Sequence, residues 1–434
     1  MQWTLVVGYT FLILAILPRI SFFNLPSIPV RWLQAAFIIK VLAGIALGII
    51  YSRYYTDRST ADTFKFFDDS QIIFNALKES PGDFFRMLSG YHANAADLEK
   101  EYYVNMTAWN NKEMFFNDNR TIIRLNVLFQ FISLGNYYVH VVLINLISFT
   151  GLICFYKAFA PYLENKLKLF FFFLFLFPSL LFWGSGMLKD SLLLFSVGLC
   201  ILSFIRINKS FSYLNLTGIL LGIIGLILNK FYIFLLLFPG LLAYFLSKKN
   251  SKNVFGIFLG TYVCFGTLLI LAKYISPNFD FIAILEMKRN AFAEIAITGK
   301  AMHQIGLATE PLTLFSLVQQ IPIAIFTVLL RPFLWEADSI PVFSAALENI
   351  VLILSIALIF VFPSRQKKKN PLLILSVFFT LSLFVLIGLT TPILGAIVRY
   401  RIIAIPFILF VFIYFIDTSR LVRIFYNRLT RQSQ

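Results

Sequence analysis

Asp68 and Asp69 are adjacent carboxylates standing just before the apolar run Ile72, Ile73, Phe74, Ala76 and Leu77. That placement predicts that they open a helix, where free backbone amides and the positive end of the dipole hold a carboxylate. One carboxylate could take a proton from an acceptor hydroxyl while the other orients it, or the pair could hold a divalent metal, Mg or Mn. The alternative is that both only cap a loop helix. Asp57 and Asp62 nearby are placed as solvated charges. The pair lies within residues 52–136, the long polar segment of the chain, which carries 11 of its 21 acidic residues. The expectation is an acidic site just outside a membrane, faced by basic side chains that bind a lipid phosphate.

The basic candidates are scattered along the sequence. Lys189 and Asp190 end the stretch Phe182-Trp183-Gly184-Ser185-Gly186-Met187-Leu188, between two apolar runs too close for a long loop. A lysine at such a turn can face a phosphate as a point charge; a local Lys–Asp pair closing two helices is the other reading. Arg331 precedes Pro332-Phe333-Leu334-Trp335-Glu336-Ala337-Asp338 and could present its planar fork to a phosphate, although Trp335 beside charges also suits a membrane interface. Arg399 and Arg401 flank Tyr400 at the outer start of the last apolar run, against the positive-inside tendency. Lys40 and Glu348 lie inside apolar runs, where an ionisable group is either functional or one half of an interhelical ion pair. His92, His140 and His303 share no ligand spacing.

Composition says what must position these groups. Hydrophobic residues are 59% of the chain and charged ones 13%, against about a quarter charged in soluble proteins. Repeated apolar runs broken by short basic patches predict an all-α, polytopic transmembrane bundle, folded as one membrane domain over 1–434. The 37 Lys and Arg sit in short loops, where they set orientation, so nucleic acid is excluded as a partner and membrane lipids are implied. Cys154, Cys200 and Cys264 fall within apolar runs and read as small buried hydrophobes. Phe170 to Phe173 read as lipid-facing filler. The N-terminus lacks a basic region and cleavage site and reads as a retained span.

Spans are expected at Trp3 to Ile16, Trp32 to Tyr51, 137–156, 169–183, 191–206, 213–228, 231–247, 254–275, 342–363, 371–390 and 402–416, with an amphipathic helix near Thr121 to Ser133. The run 312–330 is expected to be re-entrant or broken at Gln319, Gln320 and Pro322, since a full span there would misplace the basic run Arg365, Lys367, Lys368 and Lys369. That leaves about eleven spans, with 52–136 and 276–341 as extracytoplasmic segments. The patches Arg19 and Arg31, Lys166 and Lys168, Arg206 and Lys209, Lys248 to Lys252, and the tail Arg420, Arg423, Arg428, Arg431 mark the cytoplasmic face of a multi-pass protein. The second polar stretch, with Glu286, Lys288, Arg289, Glu294 and His303, could be a flap or a solvated loop.

The acidic first loop, the run Pro178-Ser179-Leu180-Leu181-Phe182-Trp183 leading into Lys189-Asp190, and Arg399-Tyr400-Arg401 followed by Pro406 resemble the multi-span GT-C-type glycosyltransferases. The resemblance implies a polyprenyl-phosphate-linked sugar as donor, a glycan or lipid acceptor, and a first-loop carboxylate acting as base or metal ligand. On this chain that role falls to Asp68 or Asp69, with Lys189, Arg331, Arg399, Tyr400 and Arg401 around the donor phosphate, in the cytoplasmic membrane with the site outside. The sharper signatures of oligosaccharyltransferases are absent. A polymerase or ligase of surface polysaccharide would use arginines for pyrophosphate but depend less on a first-loop carboxylate pair. A transporter or flippase would favour two related halves and charges near the bilayer midplane, and no internal duplication is visible.

Overall fold

Long runs of Leu, Ile, Phe and Val can satisfy their backbone polar groups in a bilayer only by coiling or by closing a barrel. In the computed structural model, which describes residues 2–54, 58, 61–107, 118–248, 251–298, 311–337, 339–364 and 370–420, they coil. Regular structure among the described residues is helical, apart from an isolated antiparallel bridge between Pro363 and Ile416. Asp57, His303, Lys249, the basic run 365–369 and the tail beyond 420 lie outside the described residues.

The helices, in order, are α1 (Gln2–Ile16), α2 (Val30–Ile49), α3 (Asp62–Glu79), α4 (Pro81–Ser89), α5 (Ala96–Glu101), α6 (Asn119–Ser133), α7 (Tyr137–Phe159), α8 (Leu167–Leu176) and α9 (Pro178–Trp183). Then come α10 (Lys189–Ile207), α11 (Tyr213–Ser247), α12 (Val254–Leu271), α13 (Phe281–Thr298), α14 (Leu314–Leu330), α15 (Ile340–Val361), α16 (Pro371–Thr390), α17 (Leu394–Tyr400) and α18 (Ile405–Phe415). Among the described residues seven helices are long and apolar enough to cross a membrane, or eight if α17 and α18, bent by 68°, form one broken span. The protein is a polytopic helical membrane bundle.

Two compact units make up the chain: Met1–Ala158 with Leu180–Phe231, and Phe159–Ser179 with Tyr232–Gln434. In the first unit, Phe64, Phe66, Phe67 and Ile73 of α3 pack with Ile122, Ile123 and Val127 of α6 and with Tyr137, Val141 and Ile144 of α7. The polar 52–136 segment is therefore anchored by its own apolar core. Small residues bring the long helices together: a Cβ added to Gly198 of α10 would collide with the Gly151 carbonyl of α7. Gly218, Gly222 and Gly225 of α11 face Ser203, Cys200 and Ser196 of α10 in the same way. Backbones that approach this closely gain dispersion contact, which must replace the hydrophobic effect where the solvent is lipid. In the second unit α16 packs against α12, α13, α14 and α18, and Phe159 stacks on Phe410 with centroids 4.4 Å apart.

Several expectations change. The run 169–183 is split at Pro178 into α8 and α9, because Phe177 before the proline is extended (φ −63°, ψ 126°), the conformation proline imposes on its predecessor. Gln319, Gln320 and Pro322 do not break 312–330, since α14 runs through them from a Thr313 capping box. α1 and α14 are shorter than the spanning helices. The two helices expected around residue 230 are present within α11, meeting at a kink where Lys230 is non-helical (φ −151°, ψ 88°). Phe170 and Phe171 are core residues rather than lipid-facing ones, whereas Cys264 is exposed.

Candidate functional site

The turn Gly184-Ser185-Gly186 launches α10, and Leu188, extended at φ −131° and ψ 154°, makes Lys189 its first residue. A cation at a helix N-terminus meets the positive end of the dipole and needs a carboxylate to hold it. Asp118, immediately before α6, supplies one: Lys189 Nζ stands 2.8 Å from its Oδ1. Asp62 of α3 is also within electrostatic reach of Lys189. Asp190 is fully buried, with Lys230 Nζ 3.7 Å from its Oδ1. Lys230 reaches that point because α11 breaks there, and the Thr121 hydroxyl donates to the Leu228 carbonyl at 2.8 Å, fastening the first turn of α6 to the break. Three segments distant in sequence thus deliver Asp118, Lys189, Asp190 and Lys230 to one alternating charge centre inside the first unit.

Lys40 secures the turn beneath this centre. Its ammonium, buried within α2, donates to the Gly184 carbonyl at 2.6 Å and the Ser185 hydroxyl at 3.2 Å. Asn145 donates to the Ser185 carbonyl at 2.9 Å, and the Ser191 hydroxyl to the carbonyls of Gly184 and Gly186. The interhelical ion pair considered for Lys40 is replaced by bonds to the backbone of the turn that positions Lys189 and Asp190.

Asp68 and Asp69 are not at a helix start. They lie in the middle of α3, which begins at Asp62, so neither carboxylate meets free end amides. The apolar period of α3 starts earlier, at Phe64, Phe66 and Phe67, and carries the helix back past the pair. Neighbours on a helix point about 100° apart, and these two diverge. Asp68 accepts a bidentate bond from Arg58 at 2.7 and 2.8 Å, and Arg58 also lies over the Phe64 ring. Asp69 is buried and accepts the Thr107 amide N–H at 2.9 Å. Among the described residues no group of three or more His, Cys, Asp or Glu is arranged to hold a metal.

Elsewhere in this segment Arg86 of α4 bridges Asp83 at 2.8 Å and Asp97 of α5 at 2.7 Å. The Arg86 hydrogen bond holds the Asp97 carboxyl down at about 2. A carboxyl lowered in the folded state contributes its stability above the unfolded value near 4 and loses it as pH falls through the folded one. Because the pair is exposed its contribution is small. The expected result is that amide-exchange protection of residues 81–101 weakens between pH 4 and about 2. Asp97→Asn should remove that pH dependence while leaving the rest of the segment protected.

In the second unit Arg331 and Arg401 each bond to protein groups. Arg331 makes a forked bond with Glu336, whose second oxygen accepts the Phe333 amide at 2.8 Å. Burial opposes ionisation of Glu336, but the Arg331 and Phe333 bonds outweigh it and hold the carboxyl below its usual value. Arg401 is fully buried: it donates to the Val328 carbonyl at 3.0 Å, Glu348 Oε1 at 2.9 Å and Asn349 Oδ1 at 2.6 Å. Glu348 Oε2 accepts the Ser179 amide at 2.6 Å, and Asn349 donates to the carbonyls of Leu330 and Pro332. This network joins α14, α15 and the turn after α17, and it accounts for Glu348 as one half of an interhelical ion pair. Arg399 and Tyr400 are half-buried, and Tyr400 meets Phe292 of α13 edge-on at 6.0 Å.

Of the candidates read from the sequence, Asp68, Asp69 and Lys189 belong to the first unit and Arg331, Arg399, Tyr400 and Arg401 to the second. Asp118, Lys230 and Asn349 were missed. Asp118 directly precedes the amphipathic run of α6, and Asn349 forms with Glu348 an adjacent polar pair inside an apolar run. Comparison with protein-family models, curated proteins and solved structures finds no match to the chain.

Proposed function

We propose that the chain is a membrane glycosyltransferase that moves a sugar from a polyprenyl-phosphate donor to the hydroxyl of a glycan or lipid acceptor. In this reading it works on the extracytoplasmic side of the cytoplasmic membrane, in cell-envelope glycan assembly. One observation carries the reading: Asp118, from the acidic 52–136 segment, meets Lys189 at 2.8 Å beside Asp190 and Lys230. Such a transfer needs a base for the incoming hydroxyl and positive charge for the departing phosphate, and this centre offers both at the end of apolar helices.

The proposed step begins with the donor phosphate drawing Lys189 and Lys230 away from their carboxylates. Asp118, released from Lys189, accepts the acceptor's proton as the new bond to the anomeric carbon forms and the bond to the phosphate oxygen breaks. Polyprenyl phosphate leaves with its charge held by the two lysines, and such fixed charge accounts for much of the rate in reactions of this type. Asp68, Asp69, Arg331, Arg399, Tyr400 and Arg401 act here through the architecture they hold.

The test is transfer of labelled sugar by the purified chain in vesicles, with a monosaccharide-phosphate lipid as donor. Wild type is expected to release polyprenyl phosphate, and Lys189→Ala to turn over about 100-fold more slowly, as when a preorganised charge donor is lost. Turnover of a repeat-unit pyrophosphate lipid alone would instead make the chain a polysaccharide polymerase or ligase.

A further inference from the structure

A groove of about 450 Å³ opens in the second unit between the start of α8, α15 and the end of α18. Its walls are apolar, formed by Leu169, Phe173, Leu358, Leu409, Phe412 and Ile416, and its rim carries Lys166 and Lys168. The size falls within the ordinary range for small-molecule sites. The Lys166 ammonium donates to the carbonyls of Ile413 and Tyr414 at 3.0 and 3.1 Å, closing the C-terminal end of α18. An ammonium has three N–H donors, so one remains for an anion at the rim. Lys168 beside it is exposed.

The charges around this rim are mixed, with Lys166 and Lys168 on it and Glu164 and Asp417 beside Lys166. Glu164 and Asp417 act on Lys166, whose pKa burial lowers against their pull. Arg420 follows Asp417 and donates its amide N–H to it. Ser364 is bound to Phe415 and Asp417 to Phe362 through their backbones at 2.7 and 2.8 Å. A basic rim over an apolar slot complements a molecule with one anionic head and a hydrocarbon tail.

We infer that this groove is a specific site for one anionic glycerophospholipid, its phosphate at Lys166 and Lys168 and an acyl chain along Phe173, Leu358, Leu409 and Phe412. The site belongs to the second unit and does not depend on the transferase reading. Basic patches of this kind attract the anionic lipids of the cytoplasmic leaflet, so the ligand comes from the membrane rather than from free phosphate.

The experiment is native mass spectrometry of the full chain purified in dodecyl maltoside with added phosphatidylglycerol or phosphatidylcholine. Wild type is expected to retain one phosphatidylglycerol in preference to phosphatidylcholine, and millimolar inorganic phosphate should not displace it. Lys168→Gln, at an exposed position, should weaken retention about fivefold, the effect of one basic residue on an anionic lipid. Ser355→Trp, which fills the groove and leaves both lysines in place, should lower retention of the same lipid. Equal retention of both lipids by wild type, displacement by inorganic phosphate, or wild-type retention by both variants would each overturn the site.

Discussion

Glu348→Ala is expected to destabilise the folded bundle by about 3–5 kcal/mol, the usual cost of removing one partner of a buried ion pair. The largest stability effect is predicted here because Arg401 is fully buried, and Glu348 is its one carboxylate among the described residues. The substitution also strips the Ser179 amide of its acceptor, and an unsatisfied buried donor costs about 1–3 kcal/mol by itself. Asn349→Ala removes two bonds to carbonyls and the one Arg401 donates to its amide oxygen, but leaves the ion pair in place and should cost about 1–3 kcal/mol. The double variant Glu348→Leu with Arg401→Met should recover most of the loss, because apolar replacements of similar volume often equal or exceed a buried pair. Thermal unfolding in detergent separates these cases. A single variant as stable as wild type would show that Arg401 is not held by Glu348.

Asp118→Asn is expected to reduce sugar transfer by about 10²–10⁴-fold, the range a positioned general base contributes. An amide keeps the shape and can still accept a bond from Lys189, so the fold and donor binding should survive. The loss should appear in kcat rather than KM, which is the signature of an interaction made in the transition state. Combining Asp118→Asn with Lys189→Ala should cost little more than the worse single change, since residues that act as a unit are not additive. Asp68→Asn opens only a half-exposed pair with Arg58, and its stability cost should stay within about 1 kcal/mol.

The bundle was legible because its signal is redundant: every apolar run had to coil, and the interruption near residue 230 showed as Asn229-Lys230 between two apolar runs. The carboxylate pair was misplaced because a helix start was inferred from where the apolar residues seemed to begin. α3 instead starts at Asp62, and the period of Phe64, Phe66 and Phe67 was overlooked. Lys189 was legible from its chain neighbours, but its partner Asp118 lies 71 residues away, and no local period links them. The close approach of α10 and α11 was written in Gly218 and Gly222, a small-xxx-small pattern that hydropathy alone does not register. Arg401 stood out in the sequence as a charge beside an apolar run, but its buried partner Glu348 in α15 lies 53 residues away and no local pattern joins them.

Binding of polyprenyl phosphate to the purified chain tests the charge centre most directly, because it asks whether Lys189 receives the group that leaves. Wild type should bind it at least about tenfold more tightly than Lys189→Ala, a difference of roughly 1.4 kcal/mol. Arg331→Gln, altered in a bond that serves the second unit, should bind like wild type. Equal affinity of wild type and Lys189→Ala, with both proteins folded, would contradict the account.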